Sequence, residues 1–77
     1  MQERINQFVR DASRISSDLD QVSRRDGREV CALAAETGAQ AYAELLQRQD
    51  SLQLTRADAA YLEILLDGIR ARLKFLS

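Results

Sequence analysis

The spacing of apolar residues divides the chain into three predicted helices. In the first, over about 2–24, apolar residues alternate steps of three and four, the spacing of a narrow amphipathic seam. The seam consists of Ile5, Phe8, Ala12, Ile15, Leu19 and Val22. It stops around 24–27, because its next positions are Asp26 and Glu29. Asp26 with Glu29 three residues later resembles a capping box, so a turn is favoured there over one long kinked helix.

The second predicted helix, over about 27–49, is rich in small residues. Every fourth residue forms one line of small side chains, which consists of Cys31, Ala35, Ala39 and Ala43. Small residues in register let a neighbouring helix approach closely. Ala34 and Gly38 form a second such line, and Tyr42 and Leu46 add bulk beside it. Leu33 is the exception, because it lies within the polar strip of this helix.

The third predicted helix, over about 56–76, carries apolar residues on two stripes. Thr55 with Asp58 three residues later predicts its amino-terminal cap, with Leu54 placed as a hydrophobic staple. One stripe consists of Leu62, Leu65, Leu66, Ile69, Leu73 and Leu76. The other consists of Tyr61, Ile64, Gly68, Ala71 and Phe75. Two stripes on one helix require two surfaces to pack against.

These patterns predict an all-α fold in a single domain over 1–77. It is either a three-helix antiparallel bundle or a helical hairpin plus a third helix, and we expect it to associate as a dimer. Each helix of a closed bundle buries one apolar stripe somewhat wider than about 100°. The apolar arc of helix one has this width, whereas the apolar arcs of helices two and three are wider. The predicted partner interface is Ala35, Ala39, Tyr42, Ala43, Leu46, Tyr61, Ile64, Ala71, Arg72 and Phe75. The alternative is that helix one covers more surface, or that the alanines are simply exposed.

Length and composition favour association as the source of stability. A chain of 77 residues with one cysteine and no histidine can form no internal disulfide and none of the usual zinc sites. A formal net charge of -1 offers no field that attracts nucleic acid or an anionic membrane. No run of about 18 apolar residues exists to span a bilayer, so we expect no membrane association and a cytoplasmic setting.

Three residue types invite a functional interpretation. Arg72 lies within the apolar arc of helix three, where it either reaches solvent or forms a salt bridge to an acidic residue of a partner. Cys31 is expected to be a buried small residue rather than a nucleophile, since no histidine can activate it. Tyr42 and Tyr61 are expected to contribute rings to a core or an interface.

The motifs of enzymes and of cofactor sites are missing from the sequence. We find no Gly-rich phosphate loop, no nucleophile elbow and no metal motif, so we predict no enzyme activity, no cofactor and no metal. The leading hypothesis is a small protein–protein interaction module, such as an adaptor, inhibitor or chaperone-like protein, that binds another protein or itself as a homodimer. A second hypothesis is a dimeric nucleic-acid-binding regulator using Arg24, Arg25 and Arg28, against which the near-zero net charge argues.

The last third of the chain resembles a known class of small proteins. The apolar residues that follow the capped turn are Tyr61, Leu62, Leu65, Ile69, Leu73, Phe75 and Leu76. Their spacing resembles the carboxyl-terminal half of the helical-hairpin co-chaperones that hold the needle subunits of type III secretion systems. The resemblance implies a chaperone-like role as an alternative, and it transfers no functional residues.

Overall fold

Three α-helices make up most of the computed structural model, which describes residues 2–77, without the side chain of Gln2. Helix α1 spans Gln2–Asp20, α2 spans Arg28–Asp50 and α3 spans Arg56–Leu76, with a 3-10 turn at Arg24–Asp26. The prediction of an all-α fold is therefore confirmed. Met1, which the predicted domain included, lies outside the described residues.

Helix α1 ends at Asp20, earlier than the predicted end near 24. The residue responsible is Ser23, whose hydroxyl accepts a hydrogen bond from the Arg25 backbone N–H at 3.2 Å. The Ser23 backbone N–H in turn donates to the Asp26 carboxylate at 2.9 Å, completing a capping box around the 3-10 turn. The predicted box of Asp26 with Glu29 is wrong, because Asp26 is already used in this turn. The chain thus turns between α1 and α2, and the alternative of one kinked helix is also wrong.

The remaining helix boundaries agree with the predictions to within one residue. Helix α2 begins after Gly27, whose φ of 105° lies in the region that favours glycine. Helix α3 begins after Thr55, whose hydroxyl accepts a hydrogen bond from the Asp58 backbone N–H at 3.1 Å. The predicted amino-terminal cap of α3 is therefore confirmed.

The core is apolar and draws on all three helices. Among the described residues, every buried side chain is apolar, and Phe8, Leu45, Leu62 and Ile69 are the largest that are fully buried. Cys31 is also buried, as predicted, and its thiol donates to the Ser23 carbonyl at 3.4 Å. The core thus matches the seam of α1 and the first stripe of α3.

Gly38 of α2 lies directly against leucines of the other two helices. A Cβ atom placed on this glycine would lie 2.7 Å from Leu73 Cδ2 and 3.1 Å from Leu19 Cδ2. The missing side chain therefore makes room for leucines of both α1 and α3 at one level of the core. This is the close packing that the small residues of α2 predicted.

Helix α3 has the most contacts with the rest of the fold. It contacts both α1 and α2 extensively, whereas α1 and α2 contact each other less. Arg48, near the end of α2, forms a salt bridge at 2.7 Å to Asp11, in the middle of α1. The unequal packing leaves the seam between α1 and α2 open on its outer side.

Candidate functional site

The ten residues of the predicted interface divide into an exposed and a half-buried set. The exposed residues are Ala39, Ala43, Leu46, Tyr61, Ile64, Ala71 and Phe75. The half-buried residues are Ala35, Tyr42 and Arg72. The half-buried set is engaged within the chain, so the exposed set is what remains for a partner.

The alanine line of α2 does not form one docking face. Each step of four residues rotates about 40° around a helix, so such a line leaves one side as it proceeds. Cys31 is buried and Ala35 is half-buried against the core, but Ala39 and Ala43 are exposed. The buried positions of α2 instead follow the seven-residue spacing of Cys31, Gly38 and Leu45.

An apolar groove runs along the open seam between α1 and α2, and we call it the α1–α2 groove. It encloses about 410 Å³, and its sides are Ile15, Leu19 and Val22 from α1 and the following turn, and residues of α2. The α2 residues are Val30, Leu33, Ala34, Thr37, Gly38 and Ala41. Leu33 is 65% exposed and Val30 46% exposed. Sequence reasoning missed this groove, although an apolar Leu33 within a polar strip was a usable signal.

Carboxylates border the α1–α2 groove. Asp18 lines it directly. Glu29 and Glu36 lie four residues before and three residues after Leu33, so they are its neighbours on the outer face of α2. The groove therefore has an apolar lining with one carboxylate in it, and two further carboxylates lie beside Leu33.

A second apolar surface lies on the outer side of α3, and we call it the α3 seam. It consists of Ala57, Tyr61, Ile64, Gly68, Ala71 and Phe75, with alternating steps of four and three. Ile64 is 67% exposed, Phe75 57% and Tyr61 51%. The seam carries no charged residue over its whole length, which is the pattern of a helix that packs against another helix.

Arg72 lies beside the α3 seam and is paired within the chain. Its Nε lies 2.7 Å from Asp20 Oδ1 at the end of α1, and its Nη1 donates to the Gly68 carbonyl at 2.9 Å. The hydrogen bond with Asp20 raises the pKa of Arg72 above its ordinary value. The predicted salt bridge to a partner protein is therefore unnecessary to explain an arginine at this position.

Two other polar contacts tie interface candidates to the fold. The Tyr42 hydroxyl accepts a hydrogen bond from Arg70 Nε at 3.2 Å, while its half-buried ring packs against the core. Arg24 donates to the Phe75 carbonyl, and its guanidinium lies 4.5 Å from the centre of the Phe75 ring. Arg24 is thus engaged at the end of α3, which leaves fewer groups of the 24–28 basic cluster for phosphate.

Over 3–77, no three side chains of cysteine, aspartate or glutamate are grouped so that they could hold a metal ion. No helix within 2–77 combines the length and apolar character needed to cross a bilayer.

Comparisons with protein-family models, with curated proteins and with solved structures found no match to this chain.

Proposed function

We propose that this chain is a small helical protein–protein interaction module, an antiparallel three-helix bundle that binds polypeptide through exposed apolar side chains of α2 and α3. The observation that carries the proposal is the exposure of Leu33 and Ile64, 65% and 67% respectively, beside a core that is filled without them. Clustered exposure of large apolar side chains is typical of association surfaces. An adaptor, an inhibitor and a chaperone-like protein would all use such surfaces.

The α1–α2 groove is the proposed site for a helix of another protein. Its floor includes the small residues Ala34, Gly38 and Ala41, while Leu33 and Val22 stand at its sides. Along α2 the groove runs from Val30 to Ala41, which at about 1.5 Å per residue is roughly 17 Å, or three helical turns. An amphipathic helix with apolar residues on successive turns fits a groove of this length and lining.

The carboxylates in and beside the groove favour a partner helix of opposite charge. Asp18 lines the groove, and Glu29 and Glu36 lie beside Leu33 on the outer face of α2. Acidic side chains beside an apolar groove favour a partner with lysine or arginine on the flanks of its apolar face. The proposed partner is therefore a basic amphipathic helix.

A fluorescent model peptide tests the groove directly. The peptide carries leucines on one helical face and lysines on the flanks, and its anisotropy is followed as the full chain is added. We expect binding that weakens by about tenfold with Leu33→Glu, because the loss of the apolar contact outweighs the attraction between the added carboxylate and the lysines. The same peptide with glutamates in place of lysines should bind more weakly, and added salt should reduce the difference.

Ile64→Glu is the matched control, since Ile64 is exposed to nearly the same extent as Leu33 but lies on α3. It should leave peptide binding unchanged. No binding to the wild-type chain, or equal binding by the Leu33→Glu variant, would overturn the groove as the binding site. Circular dichroism of both variants checks that the helices are intact.

A further inference from the structure

The α3 seam is symmetric about its own midpoint. Its steps along the chain are four, three, four, three and four, so the pattern reads the same in both directions. Positions 57 and 75, 61 and 71, and 64 and 68 are each centred on position 66. If two copies of α3 packed antiparallel with a two-fold axis at this level, each of these pairs would meet twice.

The side chains of each such pair differ in size in the way that close packing requires. Ala57 would meet Phe75, and Tyr61 would meet Ala71. Ile64 would meet Gly68 by displacing the Arg72 guanidinium, whose Nη1 lies 3.1 Å from the position of a Cβ on Gly68. Every layer thus combines one large and one small residue, and none combines two large ones. Layers of matched volume pack to the density of a protein interior, whereas two large residues in one layer overfill it.

A parallel pair of the same seams would pack poorly. Each residue would then meet its own copy, with Phe75 against Phe75, Tyr61 against Tyr61 and Gly68 against Gly68. The layers would alternate between overfilled and empty. The order of sizes along the seam therefore favours the antiparallel arrangement.

The charges beside the seam fit the same arrangement. Asp58 and Arg72 each follow a seam alanine by one residue, so in an antiparallel pair they face each other across the interface, once on each side of the axis. Arg72 donates to Asp20 and Gly68 through three of its five N–H groups, which leaves donors for a second carboxylate. Asp67 is the exception, because it would face its own copy at the axis.

We infer that the α3 seam is the interface of a reversible antiparallel homodimer. The inference rests on the proposal that the exposed apolar side chains serve association, and it assigns a second copy of this chain to α3. The seam would bury roughly 400 Å² of each copy, about half the area per partner of a standard interface. The dimer is therefore weak and reversible, and the α1–α2 groove stays available on each copy.

Sedimentation equilibrium over a range of concentrations tests the dimer. The weight-average mass of the full chain should rise with concentration from the 8.7 kDa of the monomer toward twice that value. Ile64→Glu should remain at the monomer mass at every concentration, and Leu33→Glu should behave as the wild type. A wild-type chain that stays monomeric up to about 1 mM overturns the inference.

An exchange of sizes within one layer tests the pairing of residues. Ala71→Tyr places two tyrosines in a layer and should weaken dimerisation by about tenfold. Tyr61→Ala combined with Ala71→Tyr moves the large residue to the other side of the layer, and dimerisation should return to near the wild-type level. Failure of the double variant to recover would overturn the antiparallel pairing.

Asp67 distinguishes the two orientations by the sign of its effect. In the antiparallel pair Asp67→Asn removes a like-charge contact and should strengthen the dimer. In a parallel pair Asp67 would lie near Arg72 of the second copy, so the same change would weaken it. A weakened dimer would overturn the inference even if the chain self-associates.

The two proposals can fail separately. A monomeric wild-type chain that still binds the leucine–lysine peptide contradicts the dimer and leaves the groove in place. A dimeric chain that does not bind the peptide contradicts the groove and leaves the α3 seam in place.

Discussion

Asp11 joins α1 to the end of α2 through one short ion pair. Its carboxylate lies 2.7 Å from Arg48 Nη1 and also accepts a hydrogen bond from Gln7 at 3.0 Å. The hydrogen bond from Arg48 lowers the pKa of Asp11 below its ordinary value, while partial burial opposes this shift. A carboxylate with a lowered pKa in the folded state contributes stability above its ordinary pKa and loses it as the pH falls through the folded value.

Asp11→Asn should therefore reduce stability in a pH-dependent way. Near pH 7 we expect the free energy of unfolding to fall by about 0.5 kcal/mol, because the ion pair is partly exposed. The difference should disappear at an acidic pH below the lowered folded-state pKa of Asp11, where the wild-type carboxylate is protonated in both states. Urea unfolding at the two pH values measures this, and Asp18→Asn on the exposed side of α1 should change less. An effect that is independent of pH would contradict the assigned role.

The sequence predicts that Arg72 needs a partner for its charge, but it does not identify that partner. The position of Arg72 in the apolar arc of α3 correctly indicated that its charge needs a partner. The partner is Asp20, which lies 52 residues away along the chain and reaches Arg72 only because the ends of α1 and α3 lie side by side. Pairing of that kind depends on the tertiary arrangement, and apolar spacing along one helix carries no information about it.

At the scale of elements, the link between α1 and α2 depends on a glycine. Gly27 has φ 105° and ψ 162°, a conformation that residues with a Cβ adopt only with strain. A Cβ atom at this position would meet no other atom within 4 Å, so packing sets no limit there. The requirement for glycine comes from the backbone alone.

Gly27→Ala should accordingly destabilise the fold by about 1–3 kcal/mol without changing the number of helices. Thermal unfolding followed by circular dichroism measures the loss. Arg28→Ala is the control, since it changes the next exposed residue of the same turn, where φ is negative. Equal stability of the Gly27→Ala variant and the wild type would show that the turn can adopt another conformation.

A helix boundary could be predicted where the apolar spacing and a capping residue mark the same position. Thr55 marks the start of α3 in both respects, and that boundary was correct. In α1 the two signals separate, because Val22 continues the apolar spacing while Ser23 already caps the 3-10 turn. Val22 packs against the core although it lies beyond the end of α1. The apolar spacing therefore continues past the last residue of the helix.

At the scale of the whole molecule, the sequence predicted that helices two and three have more apolar surface than the core needs. The location of that surface on α3 followed from helical spacing, and Tyr61, Ile64 and Phe75 are exposed as expected. Helical spacing alone could not predict which side of α2 has its exposed apolar surface. That side depends on α1 and α2 packing less closely with each other than with α3, which leaves Leu33 beside an open groove.

Nitrogen–proton correlation spectra of the full chain test the central claim that the α1–α2 groove and the α3 seam are separate association surfaces. We predict that dilution by about 100-fold shifts the amide signals of Tyr61, Ile64 and Ala71 and leaves those of Val30 and Leu33 in place. Addition of the leucine–lysine peptide should do the reverse. Spectra that change at neither surface, or that change at both under each condition, would contradict the claim.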